Sequence, residues 1–433
     1  MDTSIIGVAL SDIARDVGFT ADGLSWVFNA YVIAFGGLLL LGGRLADLFG
    51  ARRVFTAGWI VLLLGSVGAG LATSPWVEIA SRAVQGAGAA LIAPAALALL
   101  MTLFGGTPQL PRAFAVYGAA APIGGTAGVF LGGVLTEYLG WPWVFYVTVP
   151  IAVAILALTP LAFPRGTRAP GRVDVVGAVT GTAGLALTVF GIVRAPEAGW
   201  TSLETLGALV VGILLLVAFL VRQAKASEPL LRLGMLRLPL LGGANIAQLL
   251  LGAAWIPMWF FLNLYLQKVL GASAFAAGAA LVPMTAVIVL GMTLVAPRLA
   301  ARWGTRAMVT GGFALLGVGI AWLALAPADG VYAADVLPAS LVAAAGMSLA
   351  FVPSLSTAIA SAPPADAGVA SGLVNTSYQI GSAVGLAALS ALSASVSAAA
   401  GDAEGYSAAF VGAAAIAAVG LVAGITLLRA PRC

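Results

Sequence analysis

Apolar residues run along this chain in long blocks separated by short polar interruptions. Thirteen complete blocks extend approximately over 24–41, 54–72, 77–103, 113–135, 143–163, 175–193, 206–221, 240–269, 275–297, 308–326, 331–360, 369–395 and 406–428. A helix needs about 20 residues to cross hydrocarbon, so each block predicts a transmembrane helix. Several blocks are longer than that and have room to tilt, or to kink at Pro94, Pro122, Pro257 or Pro353. The first ten residues read as the second half of one more span, a truncated first helix whose flanks lack the basic start and small-residue cleavage site of a signal peptide. The pattern therefore predicts an all-α polytopic membrane protein with fourteen spans.

The sharpest interruption is Gly42-Gly43-Arg44-Leu45-Ala46-Asp47-Leu48-Phe49-Gly50-Ala51-Arg52-Arg53. Three arginines and an aspartate are costly inside hydrocarbon, so this stretch reads as a tight turn at a membrane face. If that face is cytoplasmic, strict alternation brings Arg112, Arg165, Arg168, Arg172, Arg222, Lys225, Arg232, Arg237, Arg298, Arg302, Arg306, Arg429 and Arg432 to the same side. That is most of the 20 basic residues, a strong positive-inside pattern. The opposite loops collect acids, among them Asp12, Asp16, Asp22, Glu78, Glu137, Glu197 and Glu204. The expected location is the plasma (inner) membrane, multi-pass, with a cytoplasmic C-terminus.

The turn recurs. Arg44-Leu45-Ala46-Asp47-Leu48-Phe49-Gly50-Ala51-Arg52 returns as Arg298-Leu299-Ala300-Ala301-Arg302-Trp303-Gly304-Thr305-Arg306, again between two apolar blocks. The duplication predicts two six-helix halves, 1–163 with its truncated first helix and 240–433, separated by two inserted helices and their flanking cytoplasmic loops in 164–239. Parallel halves around a midplane site are the architecture of transporters that work by alternating access.

Composition narrows the chemistry. With 61% hydrophobic and 8% charged residues and a mean hydropathy of +1.08, an ordinary soluble domain is excluded. The net charge of +4 is dispersed over short loops and forms no continuous basic patch, which argues against nucleic acid. There is no histidine, and the one cysteine is Cys433, so disulfides, Cys/His metal sites and histidine-based triads are out. Lysine occurs only at Lys225 and Lys268, neither after a glycine, so no phosphate-binding loop can be drawn. The expectation is no enzyme, no catalytic residue, no cofactor and no metal. The expected partners are the lipid bilayer, protons and a small-molecule substrate, handled by a monomer.

Several motifs in order then resemble one family. The segment containing Gly43, Arg44, Asp47, Gly50, Arg52 and Arg53 resembles the loop between the second and third helices of the major facilitator superfamily. Arg82-Ala83-Val84-Gln85-Gly86 resembles its fourth-helix motif, and Gly124-Gly125-Thr126-Ala127-Gly128-Val129-Phe130-Leu131-Gly132-Gly133 the fifth-helix antiporter motif. Asp2-Thr3-Ser4-Ile5 is similar to the first-helix motif. Tyr265-Leu266-Gln267 and Ser371-Gly372-Leu373-Val374-Asn375-Thr376 resemble stretches of the C-terminal half. Nearly the whole chain is covered, and the likeness is greatest to the fourteen-span drug:proton antiporters. It departs where Val129 stands in place of a proline, and Gly7, Ser11, Pro142, Thr148 and Tyr378 in place of asparagine, proline, arginine, asparagine and arginine.

What the resemblance implies is proton-coupled efflux of hydrophobic or cationic drug-like compounds in a bacterium; a metabolite or sugar-like uptake symporter and a nonfunctional transporter fragment are the alternatives. Counting from the outer end of the first helix, Asp2 lies roughly 14 Å deep, where a carboxylate is poised to load and release protons. Arg82 lies roughly 10 Å deep and needs a membrane-level partner, for which Asp2 is the obvious carboxylate. The resemblance implies that Asp47, with Arg44 and Arg52, gates by contacting the other half. A helix N-terminus after Pro363-Pro364-Ala365-Asp366 offers a dipole for that contact. Gly124, Gly128, Gly132 and the adjoining Gly133 form a smooth seam for close helix packing, which the resemblance links to sealing against proton leak. Asn29, Tyr31, Gln85, Asn263, Tyr265, Gln267, Asn375 and Gln379 are amides and phenols in apolar spans, equally fit to hold a substrate or to bond helix to helix.

Overall fold

The computed structural model describes residues 2–19, 21–164, 174–227, 229–230, 233–363 and 367–428; within these, the side chains of Asp2, Asp22, Pro122, Val129 and Glu197 are among those not described. Helices follow one another as α1 (Asp2–Val17), α2 (Ala21–Phe49), α3 (Ala51–Gly70), α4 (Pro75–Phe104), α5 (Leu110–Leu139), α6 (Trp143–Tyr146), α7 (Thr148–Ala162), α8 (Val175–Ala198) and α9 (Leu203–Lys225). They continue as α10 (Pro239–Leu264), α11 (Ala274–Ala280), α12 (Val282–Leu290), α13 (Ala296–Leu323), α14 (Leu337–Ala360), α15 (Ala367–Ala400) and α16 (Asp402–Leu427).

Among the described residues, twelve helices are long and apolar enough to cross a membrane. The difference from thirteen complete blocks has one source. Blocks 275–297 and 308–326 join into a single apolar run, Phe275–Leu323, which changes direction inside α13 at Gly304 (φ 76°, ψ 164°). α1 has 16 residues, fewer than a full crossing requires. Pro94, Pro257 and Pro353 lie inside α4, α10 and α14. Wider π turns at Tyr265–Val269, Gly291–Val295 and Tyr332–Val336 locally relax the helical hydrogen-bond ladder.

The chain packs as two compact units, one of residues 1–105, 127–234 and 362–376, the other of 106–126, 235–361 and 377–433. In the first, α4 lies between α2 and α3, and α8 docks on α2 and carries α9. Glycine makes the approach of α2 to α4 possible. A Cβ on Gly42 would strike the carbonyl of Ala90, and one on Gly86 the carbonyl of Tyr31, so these backbones touch where any side chain would separate them. In the second unit, α13 packs along α14 and α16, and α10 lies against α14 and α16.

The sequence duplication reappears as duplicated geometry. Gly50 (φ 89°) and Gly304 (φ 76°) occupy equivalent places in the two copies of the turn, both in the left-handed region that favours glycine. Two residues on, Arg52 Nη1 donates to the carbonyl of Phe163 at 2.9 Å, and Arg306 Nη2 to that of Ile425 at 2.8 Å. One turn further, the Thr56 hydroxyl donates to the Arg52 carbonyl and that of Thr310 to the Arg306 carbonyl. Gly58 then lies against the Gly88 carbonyl, and Gly312 against that of Gly346. Each unit thus contains the same turn, the same arginine clamp and the same glycine-lined helix pair.

Candidate functional site

Among the described residues Arg82 is the largest fully buried side chain, with no exposed surface, although it sits in the first half of an apolar span. A guanidinium keeps its charge at any working pH, so its donors must be met inside the protein. Nε donates to the Val27 carbonyl of α2 at 2.8 Å, and Nη1 to Gln85 Oε1 at 2.6 Å. Gln85 in turn donates from Nε2 to Ser66 Oγ on α3 at 2.8 Å, and the Ser66 hydroxyl donates to the Leu62 carbonyl at 2.9 Å. The Tyr31 ring lies 4.6 Å from Arg82 Cζ, in position for a cation–π contact. Arg82, Gln85 and Tyr31, selected separately from the sequence, form one charged network across α2, α3 and α4. Asp2 opens α1, and its side chain lies outside the described residues.

The glycine-arginine turn is built differently. Asp47, in the last turn of α2, accepts the backbone amide of Val369 at 3.1 Å through Oδ2. Val369 is the third residue of α15, where helix N–H groups lack partners of their own and the dipole favours an anion. Residues 364–366 of the preceding connection lie outside the described ones. Arg52 clamps the end of α7, Arg53 reaches back toward the Phe49 carbonyl at 3.5 Å, and Gly43 and the half-exposed Arg44 complete the turn.

Of the seam in α5, Gly132 is the best defined: a Cβ there would meet the Ile5 carbonyl of α1 at 2.6 Å. Gly128 is buried, Gly124 and Gly133 half-buried, and the side chain of Val129 lies outside the described residues.

The remaining polar candidates divide by what they bond. Tyr265 is buried and donates its hydroxyl to the Pro327 carbonyl at 2.6 Å; Asn375 donates to the Ser371 carbonyl within its own helix at 2.9 Å. Gln267 donates to Asn263 at 3.1 Å, a pair one turn apart. Asn29 is buried and Gln379 half-buried. Two buried amides escaped the sequence reading although the same signal, an amide in an apolar span, was available for them. Gln248 donates to the Phe351 carbonyl at 3.0 Å and to Ser354 at 2.9 Å, and Asn245 accepts from Ser377 at 3.0 Å. The hydroxyls of Thr126 and Thr285 also meet in that second unit.

A further polar cluster joins α8 and α9. Asp174, which the sequence reading did not single out, is buried at the N-cap of α8, where it accepts from Gly177 N, Arg222 Nε and Gln223 Nε2 at 3.0–3.1 Å. Burial alone would push its carboxyl up. The amide of Gly177, the Arg222 guanidinium and Gln223 together outweigh that and hold it below the usual carboxylate range. Among the described residues, no group of three or more Cys, Asp or Glu is placed to hold a metal ion.

Comparison with known proteins agrees with this architecture. The family model described as Major Facilitator Superfamily matches residues 1–386. The cephamycin export protein CmcT of Amycolatopsis lactamdurans is 44% identical over 393 residues, covering 90% of this chain and 81% of that protein. The puromycin resistance protein pur8 of Streptomyces alboniger is 37% identical over 402 residues, covering 92% and 80%. Among solved structures, the human organic anion transporter MFSD10 matches with a TM-score of 0.66 at 19% identity over 97% of this chain and 89% of that one. The proton:xylose symporter XylE matches with a TM-score of 0.68 at 14% identity, over 99% and 92%. At such identities the structures speak for the fold, and the sequence matches speak for descent. Both lead to the same assignment: the chain belongs to the major facilitator superfamily, as a multi-pass membrane transporter and not an enzyme.

Proposed function

We propose that this chain exports hydrophobic or cationic drug-like small molecules in exchange for protons, as a monomer in the plasma membrane of a bacterium with its C-terminus in the cytoplasm. The halves that alternate are 1–163 and 240–433, with 164–239 supplying two inserted helices. The observation that carries the reading is the Arg82 network. A permanent charge with no exposure in a membrane helix is costly to install, and it is retained where charge movement is the work of the protein. The relatives named for cephamycin export and puromycin resistance support the substrate class.

Asp2 is the proton carrier in this scheme, and its protonation weakens its attraction for Arg82. One charge crossing about 100 mV supplies about 2.3 kcal/mol, enough for roughly fifty-fold accumulation. Asp47 on the amide of Val369 acts as a cytoplasmic latch, with Arg44 and Arg52 orienting the turn. The seam through Gly124, Gly128, Gly132 and Gly133 excludes water along α5. Because Gln85, Tyr265, Gln267 and Asn375 already spend donors inside the protein and Tyr31 lies against Arg82, Asn29, Asn263 and Gln379 are the better substrate contacts.

Everted vesicles with an acidic interior provide the test. Puromycin is expected to accumulate inside, and an uncoupler or an Arg82→Ala substitution at equal abundance is expected to abolish this. Accumulation that ignores the pH gradient would refute proton coupling. Puromycin left outside while a sugar or metabolite moves together with protons would favour the uptake symporter.

A further inference from the structure

Glu78 is a carboxyl that neither the efflux scheme nor the fold accounts for. It lies near the outer start of α4, has no exposed surface, and neither of its oxygens has a hydrogen-bond partner among the described residues. Arg82 follows four residues later, on the same face of the same helix.

Two ordinary roles can be set aside. Glu78 does not cap α4, because the helix begins after Ser74 and the position that reaches back to an N-cap is held by Val77, which is 44% exposed. Its own amide is already bonded to the Ser74 carbonyl at 3.2 Å. Nor is it a settled structural ion pair, since Arg82 directs Nε to Val27 and Nη1 to Gln85.

Among the described residues, few charges face it. On α4 the acting charge is Arg82. The titratable or charged residues of the helices packed on α4 are Tyr31, Arg44 and Asp47 on α2, together with Asp22, whose side chain lies outside the described residues, and Arg52 and Arg53 on α3. Tyr31 lies against Arg82, and the four charged residues of the glycine-arginine turn are at the opposite ends of their helices. A further phenol, Tyr146, lies against Gly70 in the last turn of α3.

A carboxyl so enclosed is tolerated in two forms. It can hold a proton, or it can lose the proton and draw the Arg82 guanidinium from its present acceptors. We propose that Glu78 is a second proton-carrying carboxyl of this transporter, loaded from the outer face and exchanged against Arg82. The step is a simple proton transfer: hydronium at the outer face gives its proton to the carboxylate and leaves as water, and Arg82 returns to Val27 and Gln85. On release, the proton passes to water on the other side, and the guanidinium follows the bared carboxylate. The proposal rests on the proton-coupled reading above and adds to it a named acid in the same helix as Arg82.

Infrared difference spectra of the full chain in lipid nanodiscs, recorded over a pH titration, test it together with puromycin transport. The wild-type protein is expected to show a carbonyl-stretch band of a protonated carboxyl that titrates. Glu78→Gln is expected to lose that band and Glu78→Asp to keep one. In proteoliposomes Glu78→Gln is expected to retain gradient-free puromycin exchange while losing most gradient-driven accumulation, with an unchanged size-exclusion profile. If wild type is gradient-driven and Glu78→Gln matches it in both spectrum and accumulation, the Glu78 proposal fails alone. A wild type without gradient-driven accumulation overturns the coupling and the role of Glu78 with it. Should Glu78→Gln fail to fold, the decision passes to Glu78→Asp, whose failure to shift the band would overturn the assignment.

Discussion

Asp47 and Val369 are joined by a 3.1 Å hydrogen bond in which the last-turn carboxylate of α2 accepts an amide from the first turn of α15. An anion at a helix N-terminus gains about 0.3–1 kcal/mol, and up to about 2 kcal/mol where partly buried. Asp47→Asn keeps an acceptor oxygen and removes the charge, whereas Asp47→Ala removes both. Puromycin efflux at equal abundance is expected to fall in the order wild type, Asn, Ala. Equal rates in all three would remove the latch from the mechanism.

Arg52 and Arg306 make the same clamp in their separate units, but Arg306 is exposed and Arg52 is half-buried. A hydrogen bond from a charged group contributes about 1.5–3 kcal/mol and loses value with solvent screening. Thermal unfolding in detergent should therefore show Arg52→Ala as the more destabilised of the two alanine variants. The reverse order would mean that exposure does not set the strength of the clamp.

Backbone contact between α2 and α4 leaves no room for a methyl group at Gly86, whereas the surroundings of Gly311 are open within 4 Å. Gly86→Ala is expected to cost about 1–3 kcal/mol through forced helix separation. Gly311→Ala should be neutral or slightly stabilising, since alanine is the better helix former. Size-exclusion recovery after heating distinguishes them, and similar recovery of both would contradict the close packing.

Asp174 gives the protein an acid-sensitive joint. Its folded carboxyl is held below the ordinary value, so its contribution is present above about pH 3.9 and disappears as pH falls through the lower, folded value. Wild type should exceed Asp174→Asn in thermal stability at neutral pH, with the gap closing in strong acid. A gap that stays constant down the pH series would assign the effect to packing and not to charge.

Much of this was readable from the chain because membrane helices announce themselves by length and apolarity, and charges by their cost in hydrocarbon. The repeat of Arg44 to Arg52 at Arg298 to Arg306 pointed to two equivalent turns, which share a left-handed glycine and an arginine clamp. At Gly304 the backbone leaves the helical region, so α13 is two helices meeting at a kink, where the second copy of the turn lies between two apolar blocks. Glu78 was assigned to an outer loop by its position beside Pro75, and only packing from neighbouring helices encloses it. Asp174 carried no local signal at all, because its partners Arg222 and Gln223 are distant in sequence. Local pattern marks where the spans run, while enclosure depends on which helices become neighbours.

One helix faces a different kind of constraint. α9 packs chiefly on α8, and Leu203, Val210, Ile213, Leu214 and Val217 are all more than half exposed around it. In a bilayer these side chains meet acyl chains, a fluid solvent indifferent to shape and sensitive only to polarity. Natural variation along that surface should drift freely among leucine, valine, isoleucine and phenylalanine, recording hydrophobicity but almost no residue identity. Gly212, whose backbone lies against Thr188 and Gly184 of α8, would hold still while the outer surface wanders.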